Sequence, residues 1–150
     1  MRSWRCCVTE SVTALRRTTL VDSCVLIDVL DGDPTWEQWS ASELSAARNS
    51  GRVVINPLIY AEVSIGYSTK EAVEAALPPQ AFEREPLPWD AAFLAARAFL
   101  AYRRRGGEKR SPLPDFYIGA HAAISGYRLL TRDAARYRSY FPTVEVISPV

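Results

Sequence analysis

Thr18-Thr19-Leu20-Val21-Asp22-Ser23-Cys24-Val25-Leu26-Ile27-Asp28-Val29-Leu30 is the stretch whose reading decides the fold. Residues 18–21 are a short β-branched and apolar run that ends on an acid, the mark of a buried strand. Residues 24–30 then read as a helix, which Asp31-Gly32-Asp33-Pro34 stops. The same change of period recurs along the chain. Val53-Val54-Ile55 gives way at Asn56-Pro57 to a helical stretch, the asparagine acting as N-cap and the proline taking the first helical position. Further strands are expected at 82–87, 128–131 and 144–147. A helix capped by Asp33 and begun by Pro34 should carry Trp36, Trp39, Leu44 and Ala47 as far as Asn49-Ser50-Gly51. A short helix at 69–77 ends at Pro78-Pro79. Trp89, Phe93, Ala96 and Leu100 recur at i, i+4, i+7 and i+11 and predict a long helix, stopped at Arg103-Arg104-Arg105-Gly106-Gly107. Helices at 115–125 and 134–140 complete the series. Short strands alternating with helices indicate an α/β domain in which crossover helices connect the strands of a parallel sheet.

Four carboxylates sit at or just past these strand-to-helix junctions. Asp22 closes the first strand, Glu62 lies within the helix after the second, Asp115 opens a helix, and Asp133 follows Leu129-Leu130-Thr131. In a parallel sheet such positions converge on the edge formed by the carboxyl ends of the strands. Acids gathered there repel one another unless a divalent cation lies between them. Helix capping is the competing account of Asp22, Asp115 and Asp133, and it is the reading adopted for Asp33. Glu62 is harder to explain in that way, because it lies inside a helix between Leu58 and Ile65, where an inward carboxylate needs a partner. The single histidine, His121, is six residues beyond Asp115 and so roughly 120° away around a helix. It is read as a packing or hydrogen-bonding residue, and Cys24 as a structural one. With no nitrogen or sulfur ligand near the acids, Mg2+ or Mn2+ is the ion expected.

At 150 residues, 48% hydrophobic and 23% charged, the chain suits one domain with a core of its own. Residues 18–150 are assigned to it, and residues 1–17, basic and without clear periodicity, to an N-terminal extension. Cys6, Cys7 and Cys24 are odd in number and have no zinc spacing, which points to a reducing cytosol. No apolar run approaches the roughly 18 residues of a membrane span, so no membrane association is expected. A net charge of +1 conceals basic clusters. One runs through Arg97, Arg103, Arg104, Arg105, Lys109 and Arg110, and another through Arg128, Arg132, Arg136 and Arg138. Arg103, Arg104, Arg105, Lys109, Arg110 and, nearest the acids, Arg132 are candidates for contact with a polyanion. A solvated helix end is the alternative for the first group.

Thr19-Leu20-Val21-Asp22-Ser23, Tyr60-Ala61-Glu62-Val63, Leu113-Pro114-Asp115-Phe116-Tyr117-Ile118-Gly119-Ala120-His121-Ala122 and Leu129-Leu130-Thr131-Arg132-Asp133 resemble, in order and spacing, the motifs of PIN-domain ribonucleases of the VapC toxin type. The resemblance covers about residues 18–150. It implies a three-layer α/β/α domain around a parallel sheet of about five strands, acting as a Mg2+- or Mn2+-dependent endoribonuclease. Asp22 and Asp115 match the family's principal metal ligands, and Glu62 and Asp133 complete the acidic site. Ser23 and Thr131 match small polar positions that hydrogen-bond near the acids. A homodimer is implied, together with a small antitoxin whose C-terminal segment crosses the active-site face. Trp36 and Trp39, three apart on one helix face, would then suit a groove for that segment, or equally core or dimer packing.

Other chemistries fit less well. An aspartyl-phosphate enzyme needs a second aspartate close to Asp22 and a lysine at a strand end, whereas Lys70 and Lys109 lie elsewhere. A dinucleotide-binding domain needs a glycine-rich turn where Ser23-Cys24-Val25-Leu26 stands. A non-catalytic RNA-binding or scaffold module on the same fold remains the alternative.

Overall fold

The computed structural model describes residues 17–108 and 113–149. Nearly all of the proposed extension, and Lys109 and Arg110, fall outside them. Strand β1 (Thr19–Val21) is followed by α1 (Ser23–Asp31), α2 (Glu37–Ser50), β2 (Val53–Ile55), α3 (Pro57–Ser64) and α4 (Lys70–Ala76). Then come β3 (Glu83–Arg84), α5 (Trp89–Arg104), α6 (Pro114–Ser125), β4 (Arg128–Leu130), α7 (Ala135–Tyr140) and β5 (Val146–Ile147). All strand pairs are parallel, and the five strands lie in the order β3-β2-β1-β4-β5. Helices flank the sheet to make three layers. Among the described residues no helix is long and apolar enough to cross a membrane.

The strand order follows from where the apolar runs are buried. β1 and β2 are buried throughout and β4 is buried at Leu129 and Leu130, as strands covered on both faces must be. The chain winds from β1 through β2 to β3 in one direction and from β4 to β5 in the other. The switch point therefore lies between β1 and β4, with Leu20 opposite Leu129 and Val21 opposite Leu130. Local chemistry places several helix ends. Asn56 Oδ1 accepts from Ile59 N at 3.0 Å with Pro57 at the start of α3, and Gly32 closes α1 with φ 66°, a left-handed conformation that glycine adopts without strain.

Three expectations need correction. α2 begins at Glu37 rather than at Pro34, because Asp33 Oδ1 accepts from Thr35 N at 2.9 Å and Trp36 N at 2.8 Å and closes a turn there. β3 is two residues long, shorter than 82–87, and β5 likewise holds only Val146–Ile147. α5 forms as expected, but its large apolar stripe faces outward: Trp89 is 91% exposed and Phe93 63%. The buried side is Ala91, Ala95 and Ala98. Beside it, Phe99, Tyr102, Phe116 and Tyr140 form an edge-to-face cluster joining α5, α6 and α7, with Phe116 and Tyr140 5.4 Å apart.

Candidate active site

β1 delivers Asp22 to the switch point. Its N–H donates to Leu130 O at 2.9 Å, extending the ladder with β4 one residue beyond the strand. The carboxylate is then fixed from three sides. Oδ1 accepts from Ser23 N at 2.8 Å, and Oδ2 accepts from Thr131 Oγ1 at 2.8 Å and from Tyr137 OH at 3.1 Å. Thr131 is itself held by its N–H on Ile147 O at 3.0 Å, so β4 and β5 together position the group that orients Asp22.

Asp115 reaches the same place from the first turn of α6, just after Pro114. Its Oδ2 accepts from Arg136 Nη1 at 3.0 Å, and its Oδ1 lies 3.3 Å from Tyr137 OH. The single hydroxyl proton of Tyr137 thus faces two carboxylates, and the ring is buried. Burial, followed by the charges of Asp22 and Asp115, drives its pKa far above the usual tyrosine range. Burial and the Asp22 charge also push Asp115 up, against the opposing pull of Arg136 and Tyr137.

Glu62 comes from the middle of α3. Its Oε1 is buried and has no hydrogen-bond partner. Burial first, then the charges of Asp22 and Asp115, raise its pKa, partly offset by the Ser23 hydroxyl. Three carboxylates from β1, α3 and α6 are therefore close enough to feel one another. Asp133 is exposed at the rim, where its N–H donates to Thr131 Oγ1 at 3.2 Å and its charge reaches Asp115. Of the three acids that could have been caps, only Asp22 caps a helix, because α6 and α7 start without a side-chain cap bond.

The donor set is all oxygen, and one buried oxygen is unsatisfied, which fits a hard divalent cation in kind. Among the described residues, no three Asp, Glu, His or Cys side chains form a ready set of ligands for a metal ion. Both oxygens of Asp115 face groups on α7 instead.

The family model for the PIN domain matches residues 19–141. The chain belongs to the PIN domain family. Solved structures share the fold of this PIN domain. A chain in the crystal structure of VapBC2 from Rickettsia felis, bound to a DNA fragment, superposes with TM-score 0.67 at 14% identity, over 87% of this chain and 98% of that one. A chain in the structure of FitAcB from Neisseria gonorrhoeae gives 0.65 at 19%, over 87% and 97%. A chain in a toxin-antitoxin complex from Klebsiella pneumoniae gives 0.63 at 24%, over 88% and 98%. No curated protein sequence matches the chain.

The other residues singled out in the sequence of this PIN domain have definite positions. Arg132 lies beside the acids but is turned away from them: Nε and Nη2 bind Asp28 at 2.6 and 3.0 Å, and its guanidinium stacks 5.4 Å from the Trp36 ring centre. Asp28 is buried and also accepts from Ser40 Oγ at 2.7 Å. Arg103 and Arg104 are exposed on the last turn of α5, where Arg103 Nη1 donates to Glu108 O at 3.3 Å. Trp36 and Trp39 are half-buried and meet edge to face at 6.3 Å. Cys24 Sγ accepts from Arg132 N at 3.5 Å, a structural contact.

His121 belongs to a separate network. Asn56 Oδ1 is taken by Ile59 N, so Asn56 Nδ2 donates to His121 Nδ1 at 3.1 Å, and Nε2 carries the proton toward Glu85 Oε2 at 3.4 Å. Burial holds its pKa low.

Asp28, Arg136 and Tyr137 are the participants that sequence reasoning missed. The signal for the last two was spacing: they stand three and four residues after Asp133. Asp28 could have been found as Glu62 was, as an acid among apolar helix residues.

Proposed function

We propose that this PIN domain is a divalent-metal-dependent endoribonuclease of the VapC type, acting as the toxin of a toxin–antitoxin pair in the cytoplasm. The observation that carries this reading is the convergence of Asp22 and Asp115 on the Glu62 carboxylate, whose Oε1 is buried and unpaired. Asp22 and Asp115 would hold Mg2+ or Mn2+, with Glu62 and Asp133 completing the acidic site. When bound, such an ion lowers the pKa of water and offsets the charge that builds on a phosphodiester during hydrolysis. The chain's own residues do the positioning. Thr131, Ser23 N–H and Tyr137 fix the direction of the Asp22 oxygens, and the Asp28 pair turns the Arg132 guanidinium away from the acids. Arg103 and Arg104 are the surface proposed to contact RNA phosphates.

The partner follows from the neighbours, described as VapBC2 and as a toxin-antitoxin complex. A small antitoxin crossing the acidic face, and a homodimer, belong to the same proposal, and the half-buried Trp36–Trp39 pair is offered as part of the antitoxin groove. The test is cleavage of total tRNA and ribosomal RNA. Wild-type protein should cut with Mg2+ or Mn2+ and stop with EDTA, while Asp22→Asn and Asp115→Asn should each lose at least about 100-fold in rate with an unchanged circular dichroism spectrum. Full activity in both variants would sink the proposal. RNA binding without cleavage by the wild type would favour the non-catalytic module.

A further inference from the structure

Asp28 and Asp115 are each paired with an arginine from the segment after β4, in very different ways. Asp28 is buried and receives Arg132 through two nitrogens and Ser40 through a third bond, so that pair is locked into the packing. Asp115 receives one bond from Arg136, at 3.0 Å, and both side chains are about one-third exposed, at 33% for Arg136 and 30% for Asp115. A single-bonded pair open to water is weak. In the same position the Arg136 guanidinium carbon lies 5.7 Å from the ring centres of both Tyr102 and Phe116, contacts that do not depend on the bond to Asp115. Among the described residues, the other group facing this carboxylate through a hydrogen bond is Tyr137 OH, whose one proton also serves Asp22 at the shorter distance.

We propose that Arg136 is a built-in counter-cation for Asp115, standing in for the charge of a divalent ion and released onto the Tyr102 and Phe116 rings when the ion binds. This inference rests on the reading above, that Asp22 and Asp115 hold such an ion. The two states compete. Arg136 Nη1 occupies Asp115 Oδ2, and a fixed positive charge at hydrogen-bond distance from a ligand opposes the arrival of a second cation. In the ion-free state the same charge limits the repulsion among Asp22, Glu62 and Asp115, the cost the cluster otherwise bears. Arg136 is thus a positioning residue that sets the affinity of the site rather than a ligand.

The experiment is Mn2+ titration by calorimetry, with free Mn2+ followed in parallel by electron paramagnetic resonance. It uses wild-type protein, Arg136→Gln, Arg136→Lys, Asp22→Asn and Arg138→Gln. Arg138, exposed on the same helix and bonded to Ser148 Oγ at 3.3 Å, controls for a general loss of positive charge. Arg136→Gln should bind Mn2+ about tenfold more tightly, while Arg136→Lys and Arg138→Gln stay within about threefold of wild type. Equal or weaker binding by Arg136→Gln, or equal tightening by Arg138→Gln, overturns the counter-cation role and leaves the metal reading standing. Wild-type protein that binds no Mn2+, or binds it as well after Asp22→Asn, overturns both.

Discussion

Glu62 shows what an inward carboxylate costs when one of its oxygens has no partner. Burial and the charges of Asp22 and Asp115 raise its pKa, and Asp115 is raised for the same reasons. For such groups the folded protein keeps its protons longer than the unfolded chain does as pH rises. In the ion-free protein these two groups therefore contribute a loss of stability from the ordinary carboxylate range, about pH 4, up through their raised pKa values, set against an opposite contribution from His121, whose pKa burial holds low. Glu62→Gln should flatten that slope and raise the melting temperature in EDTA by a modest amount, roughly 2–4 °C, since solvent screens a half-buried acid in part. Calorimetry between pH 4 and pH 8 checks it, and an unchanged slope with a lower melting temperature would contradict the account. Asp22, Asp115 and Asp133 stand out in the sequence because each lies at a change of period, and Glu62 because it lies among apolar residues of a helix. Arg136 and Tyr137 offered only their spacing from Asp133, and six residues of helix do not fix which side chain points to Asp115. That direction is set by α7 packing against α6 through Tyr140 on Phe116, a tertiary contact.

At the scale of elements, the sequence announced α5 correctly and left its buried face undecided. Trp89, Phe93, Ala96 and Leu100 recur with helical spacing, and so do Ala91, Ala95 and Ala98. Periodicity identifies a helix from either stripe. The structure buries the alanines, whose small side chains allow a close approach to α6, and leaves Trp89 and Phe93 in solvent. A related close approach governs α6 at Gly119. A Cβ at Gly119 would fall within the Phe141 ring, which is buried and has little room to move. Gly119→Ala should therefore destabilise the domain by about 1–3 kcal/mol, despite the higher helix propensity of alanine. Urea unfolding measures it, and a neutral or stabilising result would show that Phe141 moves freely.

At the scale of the whole molecule, alternation of strands and helices was enough to read a parallel sheet, but not the order β3-β2-β1-β4-β5. That order depends on which buried strands pair, and it is what brings β1, β4 and the start of α6 to one edge. A near-neutral chain thereby concentrates Asp22, Glu62 and Asp115 in one place and sets Arg136 against them. The central claim is that this concentration exists to hold a divalent ion. Anomalous diffraction from crystals soaked in Mn2+ tests it most directly. A peak bounded by Asp22, Glu62 and Asp115 is expected, with the Arg136 guanidinium withdrawn from Asp115. A structure in which Mn2+ binds elsewhere, or in which Arg136 still holds Asp115 beside the ion, would contradict it.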